Sequence, residues 1–275
     1  MVSSSQSVPL FVPDKLAITI SIALVAAAAI SWLASYYLMP LMMGSRSNMM
    51  ATTGVAAIVS SLSFSSIGFF EIVWVIGMAA MMFPAMIPMV LFYNKVKAKL
   101  ESSPFLARVV GTPIFLSGYL VTYAILGIGA YLAVYGAVAL SSMLHSFPPI
   151  LFVIAPSAVL IVAGIYQFSS LKARCLSQCI SPFGFFAVHT SNGLLGAFRM
   201  GFSHGTYCVG CCWAYMLVML AVGAMSIPVM AALAGVIALE KVILRGSVWF
   251  NRAVAFGFIV LGVLVGYFPS ILMFL

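Results

Sequence analysis

The sequence predicts an all-α, polytopic bundle of about seven transmembrane helices, with an interfacial or re-entrant Cys/His loop between the fourth and fifth. Three observations carry that expectation. The 275 residues are 64% hydrophobic and only 6% charged, with a mean hydropathy of +1.22, whereas an average domain is about 25% charged. Apolar runs long enough to cross about 30 Å of hydrocarbon recur along the chain. All 5 cysteines fall between Cys175 and Cys212, in the stretch that joins the fourth run to the fifth and at the start of the fifth.

Taken in order, the apolar runs cover about 16–39, 69–93, 110–140, 149–168, 207–225, 228–244 and 253–275. The first exceeds a signal-peptide core in length and reads as a retained segment. In the second, Pro84 and Pro88 free backbone carbonyls and are expected to kink the helix. Ser226 and Pro228 mark a tight turn, so the fifth and sixth runs read as a helical hairpin. The short SSSQS stretch near the start reads as a mobile tail. No stretch outside these runs is long enough for a separate globular domain. The expectation is a single membrane domain, 1–275.

The net charge of +8 does not mark a nucleic-acid binder. The 12 basic residues are few and sit beside apolar runs, where they set orientation. With seven spans and the N-terminus inside, every basic residue except Arg46 falls on the cytoplasmic side: Lys15, then Lys95, Lys97, Lys99 and Arg108, then Lys172, Arg174 and Arg199, then Lys241, Arg245 and Arg252. The lipid bilayer is the expected partner, no nucleic acid is, and the C-terminus is expected outside. The cysteines then face a reducing compartment, where thiols stay free for metal. An odd number of cysteines also excludes a complete set of internal disulfides.

Between the fourth and fifth runs the chain reads YQFSSLKARCLSQCISPFGFFAVHTSNGLLGAFRMGFSHGTYCVGCC. Residues 171–179 suit a short helix carrying Cys175 and Cys179 at i, i+4, halted at Ser181-Pro182. Residues 183–189 are apolar enough to lie in the interface, and Gly193, Gly196 and Gly201 allow turns and close backbone approach. His204, Cys208, Cys211 and Cys212 fall within a helical arc of roughly 100°, at the expected mouth of the fifth span. Cysteine also packs as a small buried hydrophobe, but five in so short a stretch, with a histidine in register, fit a soft metal ion or thiol redox chemistry better. His189 reads equally as an interfacial residue or a ligand, and His145, beside Phe147-Pro148-Pro149, as a surface residue.

Methionine supplies a second soft-donor signal. Met78, Met82, Met86 and Met89 share one face of the second run, and thioethers favour Cu(I) over Zn(II). Methionine is equally an ordinary filler of apolar helices. Met82 and Met86, flanked by the prolines, are the candidate ligands; Met42, Met43, Met49 and Met50 form a further, outer candidate set. Glu240 is an ionisable group inside an apolar run and so a functional candidate, with pairing to Lys241 or Arg245 as the structural reading. Glu71 reads as interfacial. Paired catalytic carboxylates, a Ser/His/Asp constellation and a phosphate-cradling glycine loop are absent from the sequence, which excludes Walker-type energy coupling.

The strings IGMAAMMFPAMIPMVLFYNKV, AGIYQFSSLKARCLSQCISPFGFF, GAFRMGFSHGTYCVGCCWAYM and LEKV resemble a bacterial and archaeal family of predicted metal-binding integral membrane proteins, described in part as copper-chaperone-like. The resembling core covers about 69–252. The resemblance implies functional positions at Cys175, Cys179, His189, Gly201, His204, Gly205, Cys208, Gly210, Cys211, Cys212 and Glu240. The chain departs from the pattern after His189, where HTSNG replaces a tryptophan and a basic residue.

The expected metal ligands are therefore Cys175, Cys179, His189, His204, Cys208, Cys211 and Cys212, with Met82 and Met86 on the second run. The expected function is Cu(I) handling in the membrane, as a chaperone, a carrier or an accessory subunit of a copper-dependent membrane enzyme, with a soluble copper donor as a further partner. Two alternatives stand beside it. One is a membrane thiol oxidoreductase using Cys208 and Cys211 at a helix start, where the helix dipole favours a thiolate. The other is a scaffold holding structural zinc, since three cysteines and one histidine also make a tetrahedral zinc site.

Overall fold

The computed structural model describes residues 15–43, 63–100, 108–143, 150–222 and 226–268, and every regular element among them is helical. The helices are α1 (Lys15–Met43), α2 (Phe64–Leu100), α3 (Gly111–Met143), α4 (Ile150–Tyr166), α5 (Ser170–Ile180), α6 (Pro182–His189), α7 (Gly193–Val222), α8 (Ile227–Ala238) and α9 (Val248–Tyr267). Helix α8 continues directly into a π-helical turn, Leu239–Ile243. Arg46, Met49, Met50 and His145 lie outside the described residues, as do the side chains of Met42 and Met43.

Five helices are long and apolar enough to cross a membrane, over Lys15–Leu38, Phe64–Lys97, Gly111–Leu140, Gly193–Val222 and Val248–Tyr267. Helices α4 and α5 meet at a 68° bend and make a sixth if the bent pair is one span. The count of seven is not reached among the described residues, because the run at 228–244 divides into a 12-residue α-helix and a 5-residue π turn. Outward faces of α1 and α9 carry exposed large apolar side chains, Ile22 and Ile30 on one and Phe256 and Val260 on the other.

Helix α7 is the hub, packed along α3 and also against α4 and α5; α1 lies along α2, and α4 along α9. Small residues let α3 and α7 meet backbone to backbone. A Cβ at Gly201 would stand 1.9 Å from the Phe115 carbonyl oxygen, and one at Gly118 would stand 2.2 Å from that of Phe198. Trp74 on α2 donates its indole N–H to the Tyr123 carbonyl on α3 at 3.0 Å, fixing a third helix to this pair.

Two expectations about the Cys/His stretch change. The short helix expected over 171–179 is present as α5, but a second helix, α6, follows it across the single residue Ser181, so most of the expected loop is helical. Ser169 caps α5 by accepting from the Leu171 N–H at 3.1 Å. Ser181 ends α5 and begins α6, with Pro182 in the first turn, where a missing N–H costs nothing. Helix α7 also begins at Gly193 (φ 71°) rather than near residue 207. Gly193 takes the positive φ of a turn, while Gly196 and Gly201 serve the close backbone approach expected of them, inside a helix rather than at a turn. His204 and the three cysteines after it therefore lie deep within α7, not at its mouth.

Candidate metal centre

Cys179 on α5 and Cys208 and Cys211 on α7 have their sulfur atoms within 4.8 Å of one another. The spacing of Cys208 and Cys211 at i, i+3 puts both on one face of α7, and α5 packs against that face. The Cys179 and Cys211 sulfurs are 3.7 Å apart, and Cys212 joins through a 3.4 Å contact with the Cys211 sulfur. All five thiols are free; Cys208, Cys211 and Cys212 are buried, while Cys175 and Cys179 are half-buried.

Cys208 has the densest set of partners. Lys241 Nζ donates to its sulfur at 2.8 Å, and the Tyr123 hydroxyl donates at 3.1 Å. The Tyr119 hydroxyl lies 3.2 Å from the same sulfur and donates to the Tyr123 hydroxyl, also at 3.2 Å. An ammonium and a phenol converging on one buried sulfur favour negative charge there, and the thiolate is the form in which cysteine ligates metal.

The remaining expected ligands fall around this trio. Cys175 lies over Gly210, where a Cβ would stand 2.6 Å from its sulfur. His204 is buried against the rings of Phe115 and Tyr119, with the Phe185 ring edge-on at 5.3 Å. Its Nδ1 has no hydrogen-bond partner among the described residues. His189, half-buried on α6, stacks on Phe185 at 4.7 Å and sets its Nδ1 3.1 Å from the Phe185 carbonyl. Phe185 thus stands between the two imidazoles, and neither belongs to the three-sulfur group. Met82 and Met86 are buried in the apolar core that also holds Cys208.

Glu240 departs from both pairings expected for it. Its carboxylate forms an ion pair with Lys172 on α5 at 2.6 Å, and the two side chains are each 1% exposed. Lys241 points instead to Cys208. Arg245, in a left-handed conformation (φ 43°), donates to the Ile180 carbonyl at 3.4 Å. Tyr215 donates to Glu240 Oε2 at 3.0 Å, and Lys172 also donates to the Tyr215 hydroxyl and to Gln167.

Tyr119, Tyr123, Lys241 and Lys172 were not among the candidate site residues. Their signal was present but faint: two tyrosines at i, i+4 with Thr122 in an apolar run, and basic residues that satisfied the orientation count and so prompted no second reading.

The family model described as PpoB2: Copper chaperone matches residues 71–265. No curated protein and no solved structure matches the chain.

Proposed function

The chain belongs to the PpoB2 copper-chaperone family, and from that premise we propose that it is a membrane-embedded protein whose cargo is Cu(I), taken up by the thiols of Cys179, Cys208 and Cys211. The observation that carries this reading is the convergence of those three sulfurs from two helices, with all of them within 4.8 Å of one another. Three soft donors in a largely buried, apolar site suit Cu(I). A structural zinc site is almost always four-coordinate, and the imidazole expected as fourth ligand, His204, lies outside the trio. Lys241 offsets part of the negative charge that several thiolates bring into the core, where unpaired charge is costly.

Transfer then proceeds by ligand exchange. The thiols displace the ligands of an incoming copper donor one at a time, their protons leave, and the ion remains Cu(I) throughout. Cys212, Cys175 and His204 flank the trio as secondary donors, and Met82 and Met86 are candidate thioether acceptors beyond it. The three-sulfur site faces the cytoplasm in this reading, and the recipient is a copper-dependent membrane enzyme.

One observation favours thiol–disulfide exchange instead, the 3.7 Å separation of the Cys179 and Cys211 sulfurs. The helix-dipole support expected for that alternative is lost, because the dipole's influence fades within the first turn and Cys208 lies far along α7 from Gly193. Cu(I) titration of anaerobically purified protein against a Cu(I)-specific chelator tests the proposal. Stoichiometric Cu(I) that excess Zn(II) does not displace is the expected result; zinc that persists through excess Cu(I) would replace the copper reading with a structural zinc site.

A further inference from the structure

Glu240 and Lys241 are consecutive, yet they tie together two different ligand-bearing helices. Glu240 reaches Lys172 on α5 and accepts from Tyr215 on α7, and Lys241 reaches the Cys208 sulfur on α7. Both lie in the π turn Leu239–Ile243, where the wider i→i+5 winding changes the directions in which successive side chains leave the axis. Lys172 and Cys179 stand at i, i+7 on α5 and so share a face. The ion pair therefore pulls on the same side of α5 that presents the Cys179 sulfur.

A buried ion pair is a poor way to gain stability alone, since well-packed apolar residues of similar volume often serve as well or better. What the pair supplies is direction: its short contact fixes where α5 stands against the π turn, and the Tyr215 hydroxyl, bonded to both partners, ties that position to α7. We propose that the π turn sets the separation of the site's sulfurs, with Lys172 and Glu240 as positioning residues for Cys179 and Lys241 as the positioning residue for Cys208. This inference deepens the copper reading, but its central distance can be measured without copper.

The test uses the full chain with Cys175, Cys208 and Cys212 replaced by serine, leaving Cys179 and Cys211. Diamide takes up two electrons and two protons as their thiols join in a disulfide, and the rate of pairing reports the gap between α5 and α7. The parent is expected to pair readily, and Glu240→Gln and Lys172→Met to slow pairing at least tenfold. The double variant Lys172→Met/Glu240→Leu removes both buried charges and is expected to recover thermal stability in detergent while pairing stays slow. Glu240→Asp, which keeps the charge on a shorter arm, is expected to fall between parent and Glu240→Gln. With all five cysteines present, the same variants are expected to hold Cu(I) at least tenfold more weakly than the parent. Pairing at the parent rate in the double variant would overturn the proposal, because the ion pair would then contribute to stability and nothing more. Slow pairing in the variants, together with no Cu(I) binding by the parent, would leave the positioning role standing and remove copper.

Discussion

A methyl group added at Gly201 meets something quite different from one added at Gly210. At Gly210 the obstacle is the Cys175 sulfur, the free end of a side chain that can rotate away. At Gly201 it is the Phe115 carbonyl, part of the backbone of α3, which cannot move without displacing the helix. Overpacking a rigid contact costs typically about 1–3 kcal/mol and occasionally more; relieving a rotatable one is expected to cost less than about 1 kcal/mol on the same scale. Thermal unfolding in detergent should show a large loss for Gly201→Ala and a small one for Gly210→Ala, and equal losses would contradict the distinction. The cysteines divide in a similar way. Serine at 179, 208 or 211 is expected to abolish stoichiometric Cu(I), whereas Cys175→Ser is expected to retain most of it, as measured by metal analysis after gel filtration. Retention by Cys208→Ser would show that the trio is not the site.

Burial along α5 and α7 orders the thiols by access. Cys175, half-buried on α5, should react first with a small maleimide in detergent, and Cys208, Cys211 and Cys212, each at most 2% exposed, should react last. Mass spectrometry of partly labelled protein reads that order directly; fast labelling of Cys211 would mean that the face between α5 and α7 is open. The clustering of the cysteines was legible in the sequence, because soft-donor residues at helical spacing stand out in a chain otherwise filled with Leu, Val and Ala, whereas the two histidines expected beside them stand outside the three-sulfur group. The start of α7 was not legible. Apolar residues on every side erase the periodicity that would mark one face, and glycine signals a turn and a close helix contact in the same way. Nor did charge reveal the pairing of Lys172 with Glu240, since the two are far apart in sequence and Lys241 stood next to the acid.

For the whole molecule, the orientation argument now rests on fewer residues. Lys97, Lys172 and Lys241 are buried, with the Ser191 carbonyl, Glu240 and Cys208 as their respective partners, so internal contacts account for them without any membrane field. Lys15, Lys95, Lys99, Arg108, Arg174, Arg199, Arg245 and Arg252 remain, and they favour a cytoplasmic site only with seven spans, a count that the described residues do not reach. A membrane-impermeant maleimide applied to intact cells is expected to miss Cys175 until the membrane is permeabilised, and labelling from outside would reverse the orientation. The all-helical class was plain from composition together with the length of the apolar runs, but the number of spans was not. A hydropathy run says how much apolar chain there is, and not whether α4 bends by 68° into α5 or α8 unwinds into a π turn.

The close seam between α3 and α7 has a mechanical consequence. With Gly201 pressed against the Phe115 backbone and Gly118 against that of Phe198, neither helix can slide without a collision. Cys208 and Cys211 therefore sit on a fixed anvil, and Cys179 alone rides on a jaw, the short helix beyond the bend. Under the copper reading, admission or release of an ion is expected to move α5 against the restraint of the Lys172–Glu240 pair and to leave α7 where it is. Hydrogen exchange is accordingly expected to be faster along α5 than through the middle of α7, and to slow on α5 alone when Cu(I) is added; protection arising equally on both helices would mean that the anvil moves too.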